Sequence, residues 1–135
     1  MVVPFLDTNI LLRHFLADHE EQSPRATAAI AQIERGELRV RTSETVVFET
    51  VFTLSRSYRQ PKENIREALL ALLDLPGILL PGKKSYRRAF DLFVELNLPF
   101  ADAYHVALME RLKIDQVMSF DRDFDRVPGL VRIEP

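Results

Sequence analysis

Apolar residues in this 135-residue chain alternate between short continuous runs and recurrences three and four positions apart. Val2–Leu6 is one such run and predicts a short buried strand. Asp7-Thr8-Asn9 then offer capping side chains, and Ile10, Leu11, Leu12, Phe15 and Leu16 continue at helical spacing. Asp18 to Ser23 is polar loop. Ser23-Pro24 predicts a helix start, with Ser23 as the N-cap and Pro24 in the first helical position. Ala26, Ala29, Ile30 and Ile33 carry that helix until Gly36 stops it. Leu38–Val40 predicts a second strand, and Ser43 caps a helix with Val47, Phe48, Val51, Phe52 and Leu54 on its buried side. Pro61 opens a helix through Leu73, and Ile78–Leu80, between Pro76-Gly77 and Pro81-Gly82, predicts a third strand. Lys84–Glu95 is helical by the spacing of Tyr86, Ala89, Phe90 and Phe93, and Ala101–Leu112 by Ala103, Val106, Ala107 and Met109 or Leu112. Gln116–Phe120 and Leu130–Ile133 read as closing strands. Strands alternating with helices define an α/β fold with a mostly parallel sheet. No repeat, low-complexity tract or linker interrupts residues 1–135, so a single domain is expected. Pro4 resists this reading, because proline cannot donate to a ladder. Either pairing begins after Pro4, or the strand is displaced by a residue or two.

Composition narrows the chemistry. Zero cysteines exclude a disulfide framework, thiolate metal ligands and cysteine nucleophiles. Three histidines (His14, His19 and His105) leave little for an imidazole zinc site. A net charge of −2 excludes a protein that holds nucleic acid by bulk positive charge. It still leaves room for local cations. Val2–Leu6 lacks the basic flank and cleavage site of a signal peptide, and Ala68–Leu75 is far short of the ~20 residues of a membrane span. A cytoplasmic protein without a membrane anchor is expected. Catalysis, if any, must come from oxygen.

Most acids sit in loops or beside Lys and Arg on polar helix faces. Glu20, Glu21, Glu34, Glu37, Glu63, Glu67 and Glu110 read as solvated, and Asp91 and Glu95 as an exposed stripe. Four acids differ. Asp7 follows the first strand directly, where parallel α/β sheets open their ligand crevice; a helix N-cap is the plainer role. Glu49 has Thr45, Val46, Phe52 and Thr53 as its helical neighbours, with no local cation. Such an acid faces a cleft, a distant cation or a metal, or else points to solvent from a helix edge. Asp102 begins an otherwise apolar helix, where the helix dipole also welcomes an acid. Asp121 follows the strand Gln116–Phe120, where a turn is the alternative. Should these elements converge, four carboxylates would repel unless a cation lay among them. An all-oxygen ligand set suits Mg²⁺ or Mn²⁺, and such an ion serves phosphoryl chemistry.

The surroundings of these acids resemble the PIN-domain nucleases. The matching pieces are Leu6-Asp7-Thr8-Asn9-Ile10-Leu11-Leu12, Ser43 to Glu49 with Val51 to Leu54, Phe100 to Ala107, and Ser119 to Phe124. They occur in the family's order and span nearly the whole chain, and the length is similar to the toxin of a VapBC toxin–antitoxin pair. The resemblance implies a three-layer α/β/α sandwich around a mostly parallel sheet. It implies that Asp7, Glu49, Asp102 and Asp121 hold Mg²⁺ or Mn²⁺ and position an attacking water. Thr8 or Asn9, and Ser119, would support those acids; Ser119 stands where the family more often has Thr. Asp123 ranks below Asp121 as a ligand. Further implications are an RNA substrate, a homodimer, and a small antitoxin protein that occupies the active-site groove. DNA-directed cleavage by the same acids, or a non-catalytic partner-binding domain, are the alternatives. A receiver-type signalling domain would need paired acids after the first strand and a late strand-end lysine. The chain lacks both.

Lys83-Lys84-Ser85-Tyr86-Arg87-Arg88 is the densest basic cluster, able to contact RNA phosphates or simply to begin a solvated helix. Arg13, His14 and His105 lie near the candidate acids in sequence and stay outside the catalytic set.

Overall fold

In the computed structural model, which describes residues 2–135, the first strand pairing falls at Phe5, bridged in parallel to Arg41. The Leu6 amide donates to the Arg41 carbonyl at 2.7 Å, and the Arg41 amide donates to the Pro4 carbonyl at 2.9 Å. Pro4 supplies an acceptor but no donor, so the ladder ends there. The strand expected over Val2–Leu6 shrinks accordingly. Leu6 is buried, whereas Val2 and Phe5 are exposed.

The chain forms two compact units, one ending at Lys83 and one spanning Lys84–Pro135. The first contains α1 (Thr8–Leu16), α2 (Gln22–Glu34), β1 (Val40–Arg41), α3 (Glu44–Phe52), a π-helical segment (Thr53–Ser57), α4 (Lys62–Leu73) and β2 (Ile78–Leu79). β1 pairs with β2 in parallel, Val40 opposite Ile78 and Arg41 opposite Leu79. α1 packs on α2 and on α3. Leu11, Ile30, Val47, Val51, Ile65 and Leu69 are fully enclosed, on the helix faces that the sequence spacing marks as apolar.

Three local readings change. α2 begins at Gln22, two residues before Pro24, because the His19 ring Nδ1 accepts the Gln22 amide at 3.0 Å. Ser23 turns inward instead and accepts the His19 amide at 3.1 Å. α3 has its expected cap, the Ser43 hydroxyl accepting the Val46 amide at 3.3 Å, but it runs on as a π-helix to Ser57. Phe52, expected inside, is exposed, while Val47, Val51 and Leu54 are buried.

The second unit contains α5 (Ser85–Glu95), α6 (Phe100–Arg111), β3 (Gln116–Met118), a 3-10 helix (Arg122–Arg126) and β4 (Val131–Ile133). α5 and α6 pack through aromatic rings: Phe90 and Phe93 lie 4.7 and 5.6 Å from Phe100, and Tyr86 lies 5.2 Å from Tyr104, centroid to centroid. Glu110 is paired with Arg88 across the two helices, at 2.9 Å, rather than with its sequence neighbours. β3 and β4 pair in parallel from Gln116–Val131 to Met118–Ile133, and the Ser119 amide continues to the Ile133 carbonyl at 3.0 Å. The α/β class with parallel pairing therefore holds, with strands shorter than the apolar runs suggest. No described helix is long and apolar enough to cross a membrane.

Candidate functional site

The first unit presents Asp7 and Glu49. Asp7 occupies the N-cap position of α1 in extended conformation, yet its side chain makes no capping bond. The plainer role for this residue, satisfying the orphan amides of a helix start, is thus not what its carboxylate does. It is exposed. Glu49 projects from α3, also exposed, and Oε2 accepts the buried Thr8 hydroxyl at 3.2 Å. Of the two neighbours Thr8 and Asn9, it is Thr8 that bonds to this acid. Asn9 lines a separate cavity of about 340 Å³ with Arg13, Gln22 and Arg25 between α1 and α2. The Arg13 guanidinium donates to Gln22 at 2.8 Å, and His14 Nδ1 lies 2.9 Å from the Thr27 hydroxyl.

The second unit gathers Asp102, Asp121 and Asp123. One carboxylate oxygen from each lies within 4.8 Å of the others. Asp102 comes from the first turn of α6, where Pro99 closes the preceding loop. Asp121 is the N-cap of the 3-10 helix: its Oδ1 accepts the Asp123 amide at 2.9 Å, and its own amide donates to the Ser119 hydroxyl at 3.0 Å. Ser119, expected to support this acid, thus bonds to the backbone of Asp121. Asp123 is oriented by Arg126 at 2.8 Å, and Arg126 is in turn held by the Asn97 carbonyl at 2.9 Å. Sequence reasoning ranked Asp123 below Asp121. The 3-10 turn brings it in: Asp121, as the N-cap, accepts the Asp123 amide, and this holds the two residues side by side.

Carboxylates this close repel one another. Burial pushes the half-buried Asp102 carboxyl above the usual carboxylate range, and the charges of Asp121 and Asp123 push it further; His105 opposes them. Its hydrogen bond with Asp121 acts in the same upward direction. A cation would reverse every one of the repulsive contributions. Oxygen donors at this mutual spacing suit a hard divalent ion, so the residues present fit Mg²⁺ or Mn²⁺.

The basic cluster is divided in its work. The Lys83 ammonium donates to the carbonyls of Leu75 and Ile78 at 2.7 and 2.9 Å, and burial lowers its pKa. Arg88 is engaged with Glu110. Neither is presented as a phosphate contact.

Residues 5–130 match the PIN domain family. The chain is 25% identical over 130 residues to a protein named VapC ribonuclease from Aquifex aeolicus, covering 96% of this chain and 95% of that one. Over 74 residues it is 34% identical to Ribonuclease VapC13 of Mycobacterium tuberculosis and to a VapC ribonuclease of Mycobacterium bovis, covering 53% of this chain and 56% of each relative.

Proposed function

Since the chain belongs to the PIN-domain family, we propose that it is a Mg²⁺- or Mn²⁺-dependent endoribonuclease, the toxin of a type II toxin–antitoxin pair. The observation that carries this reading is the mutual approach of the Asp102, Asp121 and Asp123 carboxylates within 4.8 Å. The names of the relatives, VapC ribonuclease among them, support the substrate class. Asp7, Glu49, Asp102 and Asp121 are the proposed catalytic and metal-holding acids, with Asp123 beside Asp121.

Each residue has a task that its surroundings suit. Asp102 and Asp121 would hold the ion, and Asp123, fixed by Arg126, would complete or steady their ligand set. When bound, that ion lowers the pKa of a water and stabilises charge developing on the phosphate. Asp7, with no hydrogen bond spent on its own helix, keeps both carboxylate oxygens available as acceptors. Glu49 is aimed by Thr8 through one oxygen and has the other available to orient a water and accept its proton. A small antitoxin protein that occupies the active-site groove, a homodimeric state and action in the cytoplasm belong to the same proposal.

The test is cleavage of a labelled single-stranded RNA with Mg²⁺ or Mn²⁺, with EDTA, and with Asp7→Asn. Cleavage is expected only in the unsubstituted, metal-supplied reaction. Activity that survives both chelation and the substitution overturns the proposal.

A further inference from the structure

We infer that the exposed segment from Phe52 to Arg59 is a platform that stacks bases of single-stranded RNA; it rests on the nuclease reading above for its choice of ligand. Phe52 is 63% exposed, although Val51 just before it and Leu54 two residues after it are buried. A large aromatic left in water loses the hydrophobic stabilisation its burial would provide, and this one is not a chance tip of a loop. It sits in the last turn of a helix, three positions beyond Glu49, and so shares that residue's helix face. The Arg56 guanidinium lies 5.6 Å from its ring centroid, covering one face of the ring. Tyr58 adds a second exposed ring, at 45%. Arg59 follows with φ of +50°, a left-handed conformation that a side chain with a Cβ adopts at a cost.

Charge selects the ligand. No acid occurs between Glu49 and Glu63, while Arg56, Arg59 and Lys62 all fall in that interval. Four arginines elsewhere are neutralised locally: Arg35 by Glu37, Arg88 by Glu110, Arg126 by Asp123 and Arg132 by Asp125. Arg56 instead lies against Phe52. Aromatic faces interleaved with cations are what a flexible strand of bases and phosphates requires, since every base has a π-face and every linkage a charge. A ring already braced by a guanidinium loses little freedom when a base stacks on it.

The experiment measures binding of a short fluorescent single-stranded RNA in EDTA, where no cleavage intervenes, by anisotropy. Phe52→Ala is expected to weaken binding roughly tenfold, and Phe52→Trp to retain it. The same oligonucleotide with abasic sites should bind both proteins equally, because there is nothing to stack. Arg56→Gln and Arg59→Gln should each lower the slope of log affinity against log salt by about 0.7. Sedimentation of each variant checks its mass, and circular dichroism its fold. Equal affinity of wild type and Phe52→Ala for base-bearing RNA overturns the platform. So does a Phe52→Ala protein of smaller mass with unchanged RNA affinity, which assigns the face to a second copy of the chain. A wild type that cleaves RNA while Phe52→Ala binds normally sinks the platform alone. Binding that depends on Phe52, in a protein that cleaves no RNA, upholds the platform and sinks the nuclease.

Discussion

The Thr8 hydroxyl donates to Oε2 of Glu49 at 3.2 Å, joining the first turn of α1 to the middle of α3 across 41 residues of sequence. Thr8 is only 8% exposed, so the donor is held in place by packing while the acceptor faces water. An exposed glutamate otherwise samples many rotamers, and one fixed hydrogen bond removes most of that freedom. Thr8→Val keeps the shape and deletes the donor. It is expected to slow RNA cleavage by roughly tenfold, in the range of lost supporting hydrogen bonds, whereas Thr8→Ser should retain most activity. Turnover at saturating RNA, alongside a thermal melt, checks it. Wild-type turnover in Thr8→Val would show that Glu49 needs no aiming.

Asp102 links stability to the ion. Burial and the neighbouring Asp121 and Asp123 charges disfavour its ionised form in the folded protein. Its folded pKa lies above the unfolded value, so the carboxyl lowers stability at neutral pH, and that loss is regained as pH falls through the raised pKa. Asp102→Asn should therefore melt higher than wild type at pH 7 in EDTA. Adding Mg²⁺ at a hundredfold excess over its Kd should stabilise wild type by about 2.7 kcal/mol and leave the variant nearly unmoved. Calorimetry with and without the ion reads both arms. A variant that gains as much from Mg²⁺ as wild type does would remove Asp102 from the ligand set.

Helices were legible because their evidence is local. The spacing of Tyr86, Ala89, Phe90 and Phe93 marks the buried face of α5, and Ser43 caps α3 as its hydroxyl suggests. Strands were less so, since pairing is decided by a partner far away in sequence. Pro4 shows this: the run Val2–Leu6 is apolar throughout, yet only its last residues pair, because one missing amide ends the ladder. The pairing of Asp102 with Asp121 and Asp123 depends on a 3-10 turn that no periodicity announces. Phe52 was misplaced for a different reason. Its spacing with Phe48 fits a buried face, but the core side of α3 is taken by Val46, Val47, Thr50 and Val51, and Phe52 lies on the opposite side with Glu49. Its exposure is the clue that spacing hides.

His14 gives the first unit a pH dependence. Burial lowers its pKa from 6.5, with the charge of Glu34 acting the other way. The unfolded chain then takes up a proton at higher pH than the folded one does. The contribution of the neutral ring is complete above pH 6.5 and is lost progressively as pH falls from there towards the lowered folded value. His14→Gln should flatten the fall in stability between pH 7 and pH 5 without changing the fold. Urea midpoints at several pH values, for both proteins, measure it. Parallel curves for the two would mean that the ring titrates alike in both states.

Gly77 controls the entry to the first strand pair. Its carbonyl accepts the Val40 amide at 2.8 Å, one residue before the β1–β2 register begins at Ile78. A Cβ built there would lie 2.9 Å from the Leu38 carbonyl oxygen and 3.0 Å from Ile33 Cγ2. The first of these is backbone and cannot rotate away, so Gly77→Ala has to push Leu38 and the start of β1 aside. Overpacking of this kind costs about 1–3 kcal/mol. Gly36 supplies the contrast: its φ of +77° penalises a side chain, but nothing lies within 4 Å of an added Cβ. Gly36→Ala should lose about 1 kcal/mol from backbone strain alone. Denaturant midpoints at constant m-value should thus fall further for Gly77→Ala than for Gly36→Ala. The reverse order would mean that β1 yields readily to the added methyl, and that the close approach at Leu38 contributes little to holding the strand in register.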